Sequence, residues 1–191
     1  MSTLDYYNNN AAEYASKTVS ADMSYAYKAF LPLLPKDGKI LDLGCGSGRD
    51  SRHFLDLGYD VIAVDGSEKL CEEARKNLGI DARCLTFDKL DYDSEFDGVW
   101  ANASLLHVKK SEMKSVLKHI CCALKTDGVL YLSYKYGDGE RMSDGRHYSD
   151  YTERDMAELF EKTGLEKIRC FVTGDSLGRE DKWLNVLARK Q

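Results

Sequence analysis

Nine consecutive residues, Ile40-Leu41-Asp42-Leu43-Gly44-Cys45-Gly46-Ser47-Gly48, set three glycines at alternate positions directly after an apolar run. Glycine lets a backbone turn sharply and come close to a ligand, and the free amides at the start of the following helix attract negative or electron-rich groups. The next apolar run, Val61-Ile62-Ala63-Val64, ends in Asp65. A carboxylate at that place, about 20 residues past the first glycine, is positioned to accept both hydroxyls of a ribose. The pair points to a nucleoside-containing cofactor. The dinucleotide fingerprint is G-x-G-x-x-G, whereas this chain reads G-x-G-x-G with Arg49 in the next place. Asp42, just ahead of the turn, suits a cofactor with a cationic amino group better than one with a pyrophosphate. The competing reading is a turn that only lets a strand pack on a helix, and Asp65 weighs against it.

Residues so placed need a parallel sheet beneath them. Strands are predicted at Lys39–Leu43, Asp60–Val64, Ala82–Phe87, Phe96–Ala101 and Val129–Tyr134, with helices near Arg49–Leu57, Glu68–Leu78 and Glu112–Leu124 between them. In the last helix Met113, Val116, Leu117, Ile120, Cys121 and Leu124 recur along one face. Gly58 and Gly79 close the first two helices. Such alternation implies right-handed βαβ crossovers. A fourth helix starts at Thr152, where Thr-Glu-Arg-Asp forms a capping box, and stops at Gly164. Glu166–Thr173 and Trp183–Ala188 then read as an antiparallel hairpin at one sheet edge. Ahead of the sheet, helices are predicted at Asn8–Ser16 and Ala21–Leu34, halted by Pro32 and Pro35.

The segment Asp42–Gly48 resembles the first motif of class I S-adenosylmethionine-dependent methyltransferases, and the likeness extends along the chain. The nearest look is to small tellurite-resistance-like and general methyltransferase-domain proteins. The resemblance implies a Rossmann-like α/β fold with a seven-stranded, mostly parallel sheet, an antiparallel C-terminal strand and helices on both faces. It implies S-adenosylmethionine as cofactor, S-adenosylhomocysteine as product, and methyl transfer as the reaction. Asp42, Gly44, Cys45, Gly46 and Gly48 would form the cofactor turn, with Asp65 and Gly66 at the ribose. Phe87 and Asp88, in Thr86-Phe87-Asp88, match the adenine segment, although Asp88 also suits a plain turn. Asn102 and Ala103, in the stretch Trp100–His107, would line the methionine end. The form Tyr-Tyr-Asn-x-x-Ala-x-x-Tyr, with Tyr7 and Tyr14, resembles a lid over the cofactor. The chain is therefore expected to be a single domain, 1–191, with a helical lid segment at 1–35.

The stretch Lys135–Tyr151 leaves the fifth strand at the edge where such folds bind ligands, and it is longer than the ~12–15 residues beyond which loops tend to be functional. Arg141, Arg146 and Tyr148 on it, with Arg179 from the loop Gly174–Lys182, are candidates to hold an anionic acceptor, because a guanidinium grips carboxylate or phosphate bidentately. Salt bridges to Asp138, Asp144 and Asp150 are the alternative. Should the acceptor lose a proton, His107, Tyr136 or His147 would serve as base; His107 equally fits a structural histidine.

Lys and Arg number 27 against 32 Asp and Glu, a net charge of −5 that argues against a nucleic-acid grip. The Asn/Asp-Pro-Pro-aromatic run of amino-methylating nucleic-acid enzymes is absent where Ala101-Asn102-Ala103-Ser104 stands. The partner expected is a small-molecule acceptor; a transfer RNA or protein acceptor, and a non-catalytic S-adenosylmethionine-binding module, are the rival readings. The six cysteines show no CxxC pair and no histidine at zinc-ligand spacing, so no metal site is expected. No secretory signal or membrane span is read, and a cytoplasmic monomer or homodimer is expected.

Overall fold

A computed structural model describes residues 2–161 and 163–191; Met1 and the part of the predicted fourth helix at Lys162 lie outside the described residues. The chain opens with helices α1 (Thr3–Thr18) and α2 (Ser24–Phe30). α1 begins at Thr3 rather than Asn8 because Ser2 and Asp5 form a capping box, each side chain accepting from the other's main-chain amide. Asn10, at φ −125° and ψ 18°, kinks the helix, and its side-chain amide donates to the Tyr6 carbonyl. α2 is shorter than the predicted Ala21–Leu34 and runs into a single 3-10 turn at Leu31–Leu33 that contains Pro32.

Strands and helices then alternate: β1 (Lys39–Leu43), α3 (Arg49–Asp56), β2 (Asp60–Asp65), α4 (Glu68–Leu78), β3 (Ala82–Cys84), β4 (Phe96–Ala101), α5 (Lys110–Ala123) and β5 (Leu124–Lys135). A small hairpin follows, β6 (Glu140–Ser143) and β7 (Arg146–Ser149), then α6 (Glu153–Phe160), β8 (Leu165–Gly174) and β9 (Lys182–Lys190). Seven strands form one sheet in the order β3-β2-β1-β4-β5-β9-β8. Pairing is parallel from β3 through β5, while β9 runs antiparallel to both β5 and β8. This is the Rossmann-like, mostly parallel sheet expected from the sequence. Strand order reverses between β1 and β4, and in such sheets the crevice for ligands opens there, beyond the carboxyl ends of the strands.

Alternation along the strands sends side chains to two cores. Leu41, Leu43, Val99 and Leu132 pack with Met113, Leu117 and Ile120 of α5. Ile40, Trp100 and Tyr131 pack on the other face with Phe30 and Phe54, the Trp100 and Tyr131 rings stacked 4.1 Å apart. Two predicted elements differ. β3 is only three residues long, because the chain turns into a 3-10 turn at Phe87–Lys89. The stretch predicted as a long loop holds the β6–β7 hairpin, in which Ser143 faces Arg146 across a two-residue turn with both Asp144 and Gly145 at positive φ. That is the geometry an Asp-Gly pair favours.

Candidate functional site

The glycine turn is shaped by close packing as much as by ligand approach. Gly44 has φ +83°, and a Cβ there would lie 2.3 Å from the Ser104 Cβ. Any side chain would drive the turn away from the loop after β4. The amides of Gly44 and Cys45 both donate to the Val64 carbonyl, at 2.8 and 2.9 Å. Gly46 N donates to one oxygen of Asp65 at 2.9 Å, and Ser67 N donates to the other at 2.8 Å. Each oxygen can accept further bonds, so the carboxylate is held in place and still open to a pair of hydroxyls. Burial raises its pKa, against the pull of those two amides.

Two cavities flank this turn. One, of about 700 Å³, lies between α1, the carboxyl ends of β2 and β3, and α5; Asp65, Gly66, Leu70, Thr86, Phe87 and Asp88 line it. The other, of about 330 Å³, lies between the β6–β7 hairpin, the α1–α2 connection and the β8–β9 loop. Tyr7, Tyr14, Gly44, Ala103 and His107 are walls of both. α1 reaches this partition because Asn8 accepts from Ser67 Oγ at 2.8 Å, Thr3 Oγ1 accepts from His147 N at 3.0 Å, and Arg49 donates to the Thr18 carbonyl at 3.0 Å. The Tyr7 hydroxyl lies 2.7 Å from His107 Nε2, and the Tyr7 ring meets Tyr14 edge-on at 5.0 Å. Burial lowers the pKa of His107 to about 4.

Asp42, expected beside a cationic amino group, lines neither cavity. It is buried beneath the turn, where Ser51 of α3 donates to it at 2.5 Å, and burial together with neighbouring Asp50 raises its pKa. The carboxylate lining the smaller cavity there is Asp50, and it is saturated. Tyr27, Arg49, Trp100 and Asn102 all donate to it, Arg49 through two nitrogens. Burial would raise its pKa, but the Arg49 charge and those donors hold it low.

The predicted arginines reach the smaller cavity, but they differ in what already holds them. Arg141 pairs with Asp150, and Arg179 pairs with Asp175 at 2.7 Å. Asp175 also accepts from Trp183 Nε1 and the Leu177 amide, and those donors with Arg179 bring its carboxyl down to about 2. Among the described residues Arg146 has one carboxylate partner, Asp144 at 3.7 Å and largely in solvent, and it also donates to Tyr7. Its guanidinium lies over Tyr6 at 4.3 Å and Tyr148 at 5.3 Å, with Nε buried and without a partner. It is the least neutralised cation of the three.

Other predicted residues stand elsewhere. Tyr136 is 42% exposed and lines neither cavity, because β5 carries it past the crevice toward Glu153. The His147 ring also lines neither, turning to Ser149 Oγ at 3.0 Å and Glu140 at 3.3 Å; only its main chain meets the site, through His107. Gly48 packs toward Ala74 and Ile80, and the exposed Asp88 carboxylate lies at the mouth of the larger cavity near Lys89. Cys45, Asn102 and Tyr148 line the smaller cavity. Ala103, held at φ +50°, donates to Ser133 Oγ, which in turn donates to Asn102. Unanticipated walls are Met23, Tyr25, Asp50, Asp175 and Trp183. They share no local sequence signal: Met23 and Tyr25 lie at the start of α2, Asp50 in the first turn of α3, Asp175 after β8 and Trp183 at the start of β9.

Residues 40–128 match the family model described as a methyltransferase domain. The chain is 24% identical over 98% of its length to the probable S-adenosyl-L-methionine-dependent methyltransferase TehB of Haemophilus influenzae, of which it covers 66%. It is 30% identical over 80% of its length to a ubiquinone biosynthesis O-methyltransferase of Rhodopseudomonas palustris, covering 60% of that protein. The crystal structure of Burkholderia thailandensis 1,6-didemethyltoxoflavin-N1-methyltransferase, with bound 1,6-didemethyltoxoflavin and S-adenosylhomocysteine, superposes with a TM-score of 0.78 at 25% identity, covering 98% of this chain and 85% of that one. The chain spans 39% to 66% of the length of the first curated relatives it matches.

Proposed function

We propose that this chain is a class I S-adenosylmethionine-dependent methyltransferase and that it transfers the cofactor's methyl group to a small acceptor with an anionic group. The observation that carries the reading is the pair of cavities meeting at one partition of five residues. Methyl transfer needs a donor space and an acceptor space that adjoin, and the five residues lining both mark where these two do.

The residues of the larger cavity fit the cofactor. Asp65, fixed by two amides, suits the ribose hydroxyls; Leu70 and Phe87 suit an adenine; Gly44 and Ala103, at the junction with the smaller cavity where Cys45 and Asn102 stand, suit the methionine end. When bound, the cofactor supplies an electrophilic methyl group on a sulfonium, whose departure as a neutral thioether needs no proton. What the protein adds is chiefly alignment, for which orientation supplies up to ~7–11 kcal/mol. α1 is the element that closes over this space, so we assign residues 1–35 the role of a lid within one domain. Cofactor should slow proteolysis within 5–17, and equal cleavage with and without it would remove the lid.

Arg146 supports the anionic acceptor, with Tyr148 beside it, since its charge is less neutralised than that of Arg141 or Arg179. The relatives above, a ubiquinone biosynthesis O-methyltransferase and an enzyme holding 1,6-didemethyltoxoflavin, favour a small molecule over nucleic acid or protein. The free cysteines suit a reducing compartment such as the cytoplasm. The test is twofold. Calorimetry should show S-adenosylmethionine and S-adenosylhomocysteine binding and NAD failing. Labelled methyl should then enter small acids and not transfer RNA or DNA; a sensor without turnover would bind and label nothing.

A further inference from the structure

We infer that Tyr7 and His107 form a proton relay at the partition of the two cavities, and that the accepting atom is an acidic hydroxyl or ring N–H rather than an aliphatic amine. The inference rests on the methyl-transfer reading above. Hydrogen-bond chemistry sets the direction of the relay. His107 Nδ1 lies 2.6 Å from the main-chain oxygen of His147. A carbonyl can only accept, so Nδ1 carries the proton. In the neutral ring Nε2 then holds the lone pair, and the Tyr7 hydroxyl 2.7 Å away donates to it. The Tyr7 oxygen accepts from Arg146 and keeps one further lone pair to accept with, on a residue that walls both cavities. Neither Tyr136 nor His147 lines either cavity, which leaves this pair as the base among the predicted groups.

The surroundings keep the imidazole a weak base. Burial lowers its pKa most; the His147 carbonyl opposes this, and the positive charge of Arg146 on β7, His147 itself and Lys135 on β5 adds to the lowering. Tyr14 on α1 and Tyr148 on β7 face the same pair and are themselves kept neutral by burial. A weak base selects its acceptor. A hydroxyl or ring N–H attacks as the neutral species and becomes strongly acidic as the methyl group arrives, so even an imidazole of low basicity takes its proton. An aliphatic amine arrives at neutral pH as an ammonium, near ~10.4 for a lysine-like group, and must lose a proton before its lone pair can attack. A buried, neutral His107 gives no help with that first deprotonation, whereas it suffices for an acceptor that attacks as the neutral species.

The step balances as follows. The acceptor's oxygen or nitrogen forms a bond to the methyl carbon as the carbon–sulfur bond breaks, with that electron pair staying on sulfur. The acceptor's proton passes to the Tyr7 oxygen while the Tyr7 proton passes to His107 Nε2. One positive charge leaves the sulfonium and one appears on the imidazole, which the His147 carbonyl steadies through Nδ1–H.

Two measurements test this. In ¹⁵N-histidine-labelled protein saturated with S-adenosylhomocysteine, the resonances lost in His107→Gln should report a neutral Nδ1–H tautomer at neutral pH, persisting to about pH 5. Tyr7→Phe should shift the Nε2 resonance. An Nε2–H tautomer or an imidazolium at neutral pH would overturn the relay whatever the acceptor. For turnover, the probes are phenol, which stays neutral at pH 7, and benzylamine, with methyl-labelled cofactor. The phenol should be labelled and the amine not. Tyr7→Phe and His107→Gln should each lower turnover at saturating cofactor by roughly 10²–10⁴-fold, and imidazole should partly restore His107→Gly. Labelled benzylamine, or undiminished turnover in His107→Gln, would overturn the proposal. Failure of S-adenosylhomocysteine to bind wild-type protein would instead defeat the methyltransferase reading.

Discussion

The larger cavity and the smaller one are neighbours built on different plans. The larger takes its walls from segments that directly follow strands: Gly44 after β1, Asp65 and Gly66 at the end of β2, Thr86 and Phe87 after β3, Ala103 after β4. Main-chain amides fix its central carboxylate. The smaller cavity gathers charged side chains from the start of α3, the end of β5, the β6–β7 hairpin and the β8–β9 loop, and it balances most of them in pairs: Arg49 with Asp50, Lys135 with Asp181, Arg179 with Asp175. Backbone geometry defines one site and side-chain charge defines the other. A backbone-built site keeps one shape under many substitutions, whereas a charge-lined one is retuned by single residues.

Breaking the backbone plan should cost most. Gly44→Ala puts a Cβ against Ser104 and an alanine at φ +83°, so thermal or urea unfolding should show a loss of about 3–4 kcal/mol. A stability within the ordinary surface range would mean the turn relaxes freely. The partition itself gives the next effect. His107 titrates at about 4 in the fold against 6.5 ordinarily. Between those values the unfolded chain binds more protons, so stability falls as pH drops through that window, by up to about 3 kcal/mol. His107→Gln should flatten the slope of unfolding free energy from pH 6.5 to 4; an identical slope would show the histidine is not buried neutral.

Asp65→Ala comes third, weakening S-adenosylhomocysteine binding by about 1.5–3 kcal/mol in calorimetry, as the loss of a charged acceptor would. Unchanged affinity would take the ribose away from this carboxylate. The smallest effect belongs to the charge-lined site. Arg146→Lys keeps the charge and removes the fork, so benzoate binding to the S-adenosylhomocysteine complex should fall by about 1 kcal/mol, a larger change than any in cofactor affinity. Equal binding by the two proteins would move the anion site off Arg146.

The same contrast explains what could be read from the sequence. β1, β2 and β4 were legible as apolar runs with sharp ends, and the reversed pair β8 and β9 as alternating runs beside a short loop. The larger cavity's residues follow from such ends. Asp42 misled because a carboxylate beside a glycine turn looks open, while strand alternation sends it inward to Ser51. The β6–β7 hairpin was missed although Asp144-Gly145 signals a two-residue turn, because the short exposed strand β6 lacks an apolar face. The start of α1 was available in Ser2 and Asp5, a capping box ahead of a weak periodicity. Asp50, Met23 and Trp183 meet only through the tertiary fold, and no local spacing joins them.

The shared wall of Tyr7, Tyr14, Gly44, Ala103 and His107 has a thermodynamic consequence. A ligand that shifts or stiffens this wall from one side changes the free energy of binding on the other. Linkage makes that coupling reciprocal: whatever factor cofactor occupancy applies to acceptor affinity, acceptor occupancy applies to cofactor affinity. Tyr7 is the element best placed to carry it, since its ring touches Tyr14 and its hydroxyl is tied to His107. On the proposed reading the two cavities would then act as one unit with two mouths, and an affinity measured for either ligand would be defined only once the occupancy of the other is stated.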